Sequence, residues 1–451
     1  MRGGNLLVGP VSSVPLATPP MRLLVALLVL APAVAAQPLG PVHAERAARL
    51  DSALTALHAD GLFDGALAIS DAEGGVVYRF AAGEHDGAPI TPATPMYLAS
   101  VSKAMNAAAA LSLVADGRLD LDAPVARYLR PWPYPDVTVR HLMDQTAGLH
   151  WLTTLTAHAD TARPVTTDDV LALVAEHRPG TVNAPGVAFD YDNANYTALA
   201  AVVEAAAGRP YADVLHERVV EPAGMTSAFV GPSGELSWAG WAGGDGDAVH
   251  ASVLDLAAFD DAFWAGRIVP DSLVADALRP PVLADGAASR YVAGRFLTDS
   301  PRPLVGHFGE GGRTTSGIWR ERETGTTYAI LAAGHGLYRT PILTAAMAIW
   351  NAEPFALPVA RPIAEVPEAV LARHVGVYES GFGRLHITLD AGQLHLEPEG
   401  AGGSEPLVPA SETVFYFCCQ DLTWEFVTDD AGRTTGIQIQ GQPQTLGERV
   451  E

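Results

Sequence analysis

Four regularly spaced prolines divide this 451-residue chain into two unlike parts. The prolines are Pro354, Pro358, Pro362 and Pro367. Each fixes φ and lacks a backbone N–H, so neither a helix nor a central strand can continue through this segment. We therefore predict a proline-rich linker over 353–367. A mixed helix and strand domain is expected before it, over 37–352, and a small all-β domain after it, over 368–451.

Hydrophobic periodicity predicts the elements on both sides of this linker. Apolar residues at helical spacing, with glycine or proline at the ends, indicate helices. Short alternating runs bounded by Asp-Ala-Gly turns indicate strands. The predicted helices cover 42–60, 99–115, 137–146, 167–177, 193–207, a segment from Pro210, 252–264 and 341–351. The predicted strands are a hairpin over 66–78, several strands between about 290 and 331, and those of the tail, including 385–389 and 394–396.

The N-terminus follows the pattern of a secretory signal. Arg22 precedes an apolar stretch over 23–36 that ends in small residues before Gln37. We predict a signal peptide over 1–36, with Met21 as a possible true start, and hence a periplasmic or secreted protein. The stretch is shorter than the roughly 20 residues that a bilayer span needs, although a retained anchor is an alternative. No membrane span is expected after signal removal.

The charge balance and the cysteines exclude other classes. A formal charge of −23 makes nucleic acid an improbable partner, because such a chain repels phosphate backbones. The two cysteines, Cys418 and Cys419, are adjacent and cannot form a disulfide framework, so we interpret them as buried thiols in a strand. His216-Glu217 begins like a zincin helix, but Val220 stands where the second histidine would be.

Lys103 is the only lysine in the chain. It lies in a predicted helix that is apolar nearly all round, where an unpaired ammonium is costly to bury. A buried amine can lose its proton near neutral pH, which a guanidinium cannot do. Ser100 stands three residues earlier, on the same helix face and within hydrogen-bonding reach. We predict that Ser100 is a nucleophile and that Lys103 is its base.

Two further segments fit this chemistry. Tyr191 and Asn193 open a predicted helix, where a phenol near a lysine can relay protons and an asparagine can bond both lysine and substrate. A packed tyrosine beside an N-capping Asn193 is the purely structural alternative. His307, Phe308 and Gly309 lie among the predicted strands, and the glycine would let a substrate approach the backbone closely. A glycine-rich hairpin turn is the alternative there.

Together, in this order, these segments resemble the Ser-x-x-Lys, Tyr-x-Asn and Lys/His-x-Gly motifs of class C β-lactamases, penicillin-binding DD-peptidases and related esterases. The resemblance extends over about 45–350. It implies an α+β fold of the β-lactamase/transpeptidase type, in which helices flank an antiparallel sheet beside a helical region. The tail is similar to the small lipocalin-like β-barrel appended to many such hydrolases.

The resemblance also implies a mechanism. Ser100 forms an acyl-enzyme, Lys103 and Tyr191 manage its proton, and the backbone N–H groups of Ser100 and Glu310 form the oxyanion hole. No metal or cofactor is required. The expected partner is a small-molecule or peptide substrate: an ester, an amide or a D-amino-acid peptide. The oligomeric state is left open. The alternatives are a catalytically silent binding protein of the same fold, or a true β-lactamase or DD-peptidase.

Four positions depart from the pattern of the β-lactamases. His307 and Phe308 replace the lysine and hydroxyl residue that favour a substrate carboxylate, which argues against penicillin turnover. Arg313 is a candidate for supplying the missing cation. Asp192 is expected to add a negative charge near the mouth of the site. Gln145 stands where relatives often have histidine, which we interpret as a structural difference.

Overall fold

The computed structural model describes most of the chain from residue 41 onward. The described residues are 41–149, 158, 167–231, 248–298, 302–311, 314–334, 338–380, 383–390, 392–398, 405–417 and 422–450. The predicted signal peptide, Arg313 and the two cysteines lie outside these ranges. No helix within them is both long enough and apolar enough to cross a bilayer.

The helices agree closely with the periodicity. They are α1 (Pro41–Ala59), α2 (Ser102–Ala115), α3 (Val139–Met143), α4 (Thr167–His177), α5 (Asn193–Ala207), α6 (Tyr211–Leu215), α7 (Glu221–Ala223), α8 (Val253–Trp264), α9 (Asp271–Ala277), α10 (Arg339–Trp350) and α11 (Glu368–Leu371). A turn of π-helix, His216–Val220, joins α6 to α7, and a 3₁₀ turn, Ala99–Val101, precedes α2. Gly208 ends α5 in the left-handed conformation that glycine adopts without strain.

Of the strands that the structure describes before the linker, seven form one antiparallel sheet, in the order β2-β1-β12-β11-β10-β9-β8. The strands are β1 (Gly65–Ser70), β2 (Val76–Ala82), β3 (Glu84–His85), β4 (Ala88–Pro89), β5 (Met96–Tyr97), β6 (Phe229–Gly231), β7 (Ala248–Ala251), β8 (Tyr291–Val292), β9 (Arg295–Leu297), β10 (Leu304–Gly311), β11 (Thr314–Glu321) and β12 (Thr327–Ala333). Strands β5, β7 and β6 form a separate small sheet, and β3 pairs with β4.

Helices cover both faces of the large sheet. Because side chains alternate along a strand, Ala66 and Ala68 of β1 pack into one core with α2, α5 and α8. Leu67 and Ile69 pack into a second core with α1 and α10. All six residues of β1 are therefore buried. The fold is the predicted α+β architecture of the β-lactamase/transpeptidase type.

Described residues between α10 and α11 form neither helix nor strand, as the prolines predict. Beyond them, eight strands close an up-and-down antiparallel barrel. They are β13 (Gly376–Ser380), β14 (Gly383–Asp390), β15 (Gln393–Pro398), β16 (Glu405–Pro409), β17 (Val414–Phe417), β18 (Leu422–Thr428), β19 (Thr434–Ile439) and β20 (Gln442–Arg449). Apolar side chains such as Tyr378, Phe415 and Phe426 pack against one another in its core.

Candidate active site

Ser100 lies at the start of the most buried helix of the protein. It is the middle residue of the 3₁₀ turn that leads into α2, so its hydroxyl stands at the positive end of the helix dipole. Ala99, directly before it, has a φ of 44°, which is uncommon for a residue with a side chain. Ser102 Oγ donates to the carbonyl of Ala99 at 2.5 Å. The backbone is therefore held in a strained turn at the predicted nucleophile, a feature that clusters at active sites.

Lys103 is completely buried, and its amino group bonds Ser100. Its Nζ lies 2.9 Å from Ser100 Oγ and donates a hydrogen bond to it. The same nitrogen lies 5.2 Å from the ring centroid of Tyr191 and 5.9 Å from that of Tyr196. The i, i+3 spacing in the sequence thus produces the predicted contact, in surroundings shielded from water.

Tyr191 also bonds Ser100. Its hydroxyl donates to Ser100 Oγ at 3.0 Å, so the serine oxygen accepts hydrogen bonds from both a phenol and an amine. Asn193 is the first residue of α5 and is half-buried beside them. The structure therefore brings together Ser100, Lys103 and Tyr191 by direct hydrogen bonds.

For this loop one sequence expectation was wrong, and the structural alternative of an N-capping Asn193 is excluded. Asp192 does not lie at the mouth of the site: it is only 1% exposed, and its carboxylate accepts the backbone N–H of Ala194 at 2.6 Å. The N-cap of α5 is therefore Asp192 and not Asn193. Aspartate is among the preferred N-cap residues, because its carboxylate satisfies a free backbone N–H near the positive helix end.

Gln145 holds this loop in place, a role that the sequence did not reveal. Its Oε1 accepts from the backbone N–H of Asp192 at 3.1 Å and from Asn195 Nδ2 at 2.5 Å. Its own carbonyl accepts the backbone N–H of Asp190 at 2.9 Å. The residues on both sides of Tyr191 are thus bonded to one buried glutamine. Gln145 itself has a φ of 56°, outside the usual range for a side-chain-bearing residue.

The third motif lies on β10, next to Ser100. The direction of the backbone groups along β10 follows from Leu304, which bonds Thr298 on the side of β9. The Leu304 N–H donates to Thr298 Oγ1, and the Leu304 carbonyl accepts from the Thr298 N–H. The register between β10 and β11 is unbroken from Leu304 to Gly311. Because alternate residues of a strand direct their backbone groups to the same side, the N–H of Glu310 points away from β11. Strand β9 pairs with Val305 and Gly306, and among the described residues no strand pairs with that edge of β10 at Glu310.

Gly309 allows this edge to approach the nucleophile. A Cβ on Gly309 would lie 3.0 Å from the Ser100 nitrogen and would overlap the Leu98 carbonyl oxygen. Glu310, whose N–H lies on this edge, directly follows the residue at which β10 contacts the backbone of Ser100. An oxyanion is stabilised by backbone N–H groups of this kind when two of them are directed at it, which is the role predicted for Ser100 and Glu310.

Two hydroxyls of β11 fix the segment that leads to Ser100. Thr314 Oγ1 donates to the carbonyl of Tyr97 at 3.0 Å, and Ser316 Oγ donates to that of Leu98 at 2.5 Å. Both acceptors lie within three residues of the nucleophile. The sheet thereby sets the position of Ser100 relative to β10.

His307 is buried and neutral. Burial, followed by the nearby charge of Lys103, lowers its pKa to about 3. Its Nδ1 contacts the carbonyl of Phe308, which makes Nδ1 the protonated nitrogen. The Nε2 is then an acceptor, and it has no hydrogen-bond partner among the described residues. Unlike a lysine at this position, His307 presents no positive charge to a substrate.

Aromatic rings form a wall beside Tyr191. Phe296 of β9 stacks on the ring of Tyr191 at 6.0 Å and lies 5.0 Å from that of His307. Two further rings contact Phe296 edge-on, with centroid distances of 4.8 Å for Tyr291 and 6.3 Å for Phe189. Phe189 is 37% exposed. An apolar surface thus runs from the reacting groups to solvent. Phe189 and Phe296 carried no motif, so the sequence did not identify them.

The chemistry of the described residues gives no metal site. No three His, Cys, Asp or Glu side chains within the described ranges are arranged to hold a metal ion.

A sequence profile described as Beta-lactamase matches residues 50–346, about two thirds of the chain. The chain belongs to the beta-lactamase family. With the hydrolases among its relatives, this membership makes it a serine hydrolase.

Penicillin-binding protein 4* of Bacillus subtilis is 27% identical over 380 residues, which are 75% of this chain and 84% of that protein. A D-aminopeptidase of Cereibacter sphaeroides is 30% identical over 225 residues, 45% of this chain. The match spans only 43% of the D-aminopeptidase's own length. Among solved structures, the octameric penicillin-binding protein homologue from Pyrococcus abyssi aligns with a TM-score of 0.58 and 21% identity, covering 87% of this chain and 97% of that one.

Proposed function

We propose that this protein is an exported serine hydrolase that cleaves amides of D-amino acids through an acyl-enzyme on Ser100. The observation that carries the proposal is the position of Ser100 Oγ, which accepts hydrogen bonds from both Lys103 Nζ and Tyr191 OH. A serine hydroxyl is a weak nucleophile unless an adjacent base takes its proton. The amine and the phenol are the two groups within reach to do so.

The reaction follows from this geometry. Ser100 Oγ attacks the substrate carbonyl while its proton passes to the Lys103 and Tyr191 pair. The developing oxyanion is bound by the N–H groups of Ser100 and Glu310. The leaving amine takes the proton from the pair, and the C–N bond breaks to give the acyl-enzyme. Water, activated by the same pair, then hydrolyses the ester and releases the acid.

The charge of the site supports an amide substrate without a free carboxylate. Burial lowers the pKa of His307 to about 3, so its ring is neutral near physiological pH and cannot form an ion pair with an anion. Arg295 and Arg339 are both buried, so neither guanidinium is exposed to bind a carboxylate.

The aromatic wall supports an apolar or aromatic side chain on the substrate. Phe189 and Phe296 offer ring surface next to the reacting groups, and such surface is buried favourably against another ring. The D configuration is proposed because of the similarity to D-aminopeptidases. Export is proposed on the basis of the signal-like residues 21–36.

The test combines a substrate panel with a covalent label. D-phenylalanine p-nitroanilide is compared with its L enantiomer, with the D-alanine analogue and with a peptide ending in D-Ala-D-Ala carboxylate. We expect the D-phenylalanine substrate to be turned over fastest, the D-alanine analogue more slowly, and the L enantiomer and the carboxylate-terminated peptide slowest, with loss of turnover in Ser100→Ala. A fluorophosphonate should label Ser100, as mapped by mass spectrometry.

The alternatives make different predictions in the same assay. A preference for the carboxylate-terminated peptide, with stoichiometric labelling by a fluorescent penicillin, would identify a DD-peptidase. If neither the fluorophosphonate nor the penicillin labels Ser100, the silent binding protein is the correct interpretation. N-terminal sequencing of protein secreted from an export-competent host tests the signal, and retention of residues 21–36 would contradict it.

A further inference from the structure

Arg339 lies directly behind the proposed oxyanion hole. It is the first residue of α10 and is 4% exposed. Its guanidinium contacts three consecutive residues of β10. The Cζ lies 4.3 Å from the ring centroid of Phe308, Nη1 donates to the Gly309 carbonyl at 2.9 Å, and Nη1 also lies 3.6 Å from a carboxylate oxygen of Glu310.

The bonded carbonyl belongs to the peptide that supplies the proposed oxyanion donor. The C=O of Gly309 and the N–H of Glu310 are the two ends of one planar unit and point in opposite directions. A hydrogen bond from a charged donor is shorter and stronger than a neutral one, and successive hydrogen bonds polarise one another. A guanidinium on the oxygen therefore fixes the plane of the peptide and makes its N–H a stronger donor.

We propose that Arg339 is a positioning residue, which orients and polarises the Gly309–Glu310 peptide toward the oxyanion. The inference rests on the proposed role of the Glu310 N–H. The guanidinium is itself held by stacking on Phe308 and by the Glu310 carboxylate. Because Arg339 is buried, water does not screen its charge as the oxyanion forms. Its contribution grows with the negative charge on the substrate oxygen, so it acts on the transition state more than on the bound substrate.

Arg320 provides a matched control on the same sheet. Its Cζ lies 5.2 Å from the Trp264 ring, and its Nη1 bonds Asp260 and Thr327 at 3.1 Å each. It thus combines an aromatic contact and an acidic partner, as Arg339 does, and it is also largely buried. The residues of β11 that pair with Gly309 and Glu310 lie near the start of that strand, whereas Arg320 lies near its other end, away from the proposed oxyanion hole.

The experiment compares Arg339→Gln and Arg339→Lys with Arg320→Gln and Arg320→Lys. The readouts are kcat and KM for D-phenylalanine p-nitroanilide, and the affinity for a phenylalanine-like boronic acid, which forms a tetrahedral anion on the serine. For Arg339→Gln we expect kcat to fall about 10- to 100-fold with KM within about 3-fold, and boronate affinity to fall in parallel with kcat. Arg339→Lys should lie between wild type and Arg339→Gln. Arg320→Gln should lose thermal stability without these changes.

Three outcomes would overturn the inference: unchanged kcat in Arg339→Gln, a change in KM alone, or equal losses in the two glutamine variants. If Arg339→Gln does not fold, Arg339→Lys decides, since it should still lose kcat and boronate affinity together by about 3- to 10-fold. Ser100→Ala separates this inference from the proposed function. Turnover that survives in Ser100→Ala refutes the proposed function, whereas an inactive Ser100→Ala beside a fully active Arg339→Gln refutes only the role of Arg339.

Discussion

The α-carbon of Gly309 faces the backbone nitrogen of Ser100 so closely that a methyl group on it would lie 3.0 Å from that nitrogen. The same methyl group would lie 2.5 Å from Ser316 Oγ, the hydroxyl that fixes the Leu98 carbonyl. The space between Gly309 of β10, the Ser100 nitrogen and the Ser316 hydroxyl therefore accommodates a hydrogen atom but not a side chain. A glycine is required here for close approach, since its φ is not positive.

Gly309→Ala should abolish catalysis without unfolding the protein. The added methyl group pushes β10 away from Ser100 and separates the two proposed oxyanion donors, and loss of one such donor costs about 100- to 1000-fold in kcat. Gly306→Ala is the matched control. Gly306 lies on the same strand, three residues before Gly309, and a methyl group on it would also overlap a backbone carbonyl, that of Ile318 in β11. We expect similar losses of thermal stability in the two variants, and a much larger loss of kcat in Gly309→Ala. Equal kcat values would contradict the geometry.

Lys103→Arg should lose activity even though it keeps the positive charge. A guanidinium cannot give up its proton near neutral pH, so it cannot accept the proton of Ser100. We expect kcat to fall at least about 1000-fold, and Lys103→Met to fall as far. The control is the rate of fluorophosphonate labelling of Ser100, which should fall with kcat in both variants. If Lys103→Arg keeps more than a tenth of wild-type kcat, Lys103 is not the base.

Gln145→Ala should slow turnover by loosening the loop that carries Tyr191. The substitution leaves the Asp192 N–H and the Asn195 amide without their acceptor, at a cost of about 1–3 kcal/mol each for a buried donor. We expect a roughly 10-fold lower kcat, because Tyr191 is no longer held against Ser100. Asn106→Ala is the control: it removes a buried amide that bonds the Tyr196 carbonyl, so it should lose comparable stability. An equal fall in kcat in both variants would show that Gln145 acts on stability alone.

Sequence periodicity predicted the elements of the fold because burial on one face leaves a repeating signal. The helices expected over 167–177, 193–207 and 252–264 occur at Thr167–His177, Asn193–Ala207 and Val253–Trp264. The pair Ser100 and Lys103 was also predictable, since three residues along a helix bring two side chains to one face. Lys103 stood out because it is the only lysine in the sequence and follows a serine by three residues.

The residues that the sequence missed act through backbone atoms. Gln145 bonds the main chain of Asp190 and Asp192, Ser316 bonds the carbonyl of Leu98, and Arg339 bonds that of Gly309. A main-chain acceptor is present at every residue, so such contacts leave no pattern of residue types. Asp192 was misplaced for a related reason: a carboxylate that caps a helix and one that faces solvent look alike in sequence.

Asp144→Asn should stabilise the protein at pH 8 but much less at pH 5. Asp144 is 4% exposed, and burial raises its carboxyl pKa to about 7, while the Ala293 N–H and Arg140 act in the opposite direction. The folded state thus binds more protons than the unfolded state between about pH 4 and 7, so wild-type stability falls as pH rises through that window, by up to about 1.4 kcal/mol per pH unit. The asparagine variant lacks this loss, and its Oδ1 can still accept the Ala293 N–H. Urea unfolding at pH 5 and pH 8 should show its advantage over wild type growing by about 2–3 kcal/mol, whereas an advantage independent of pH would mean that Asp144 is ionised in the folded protein at both values.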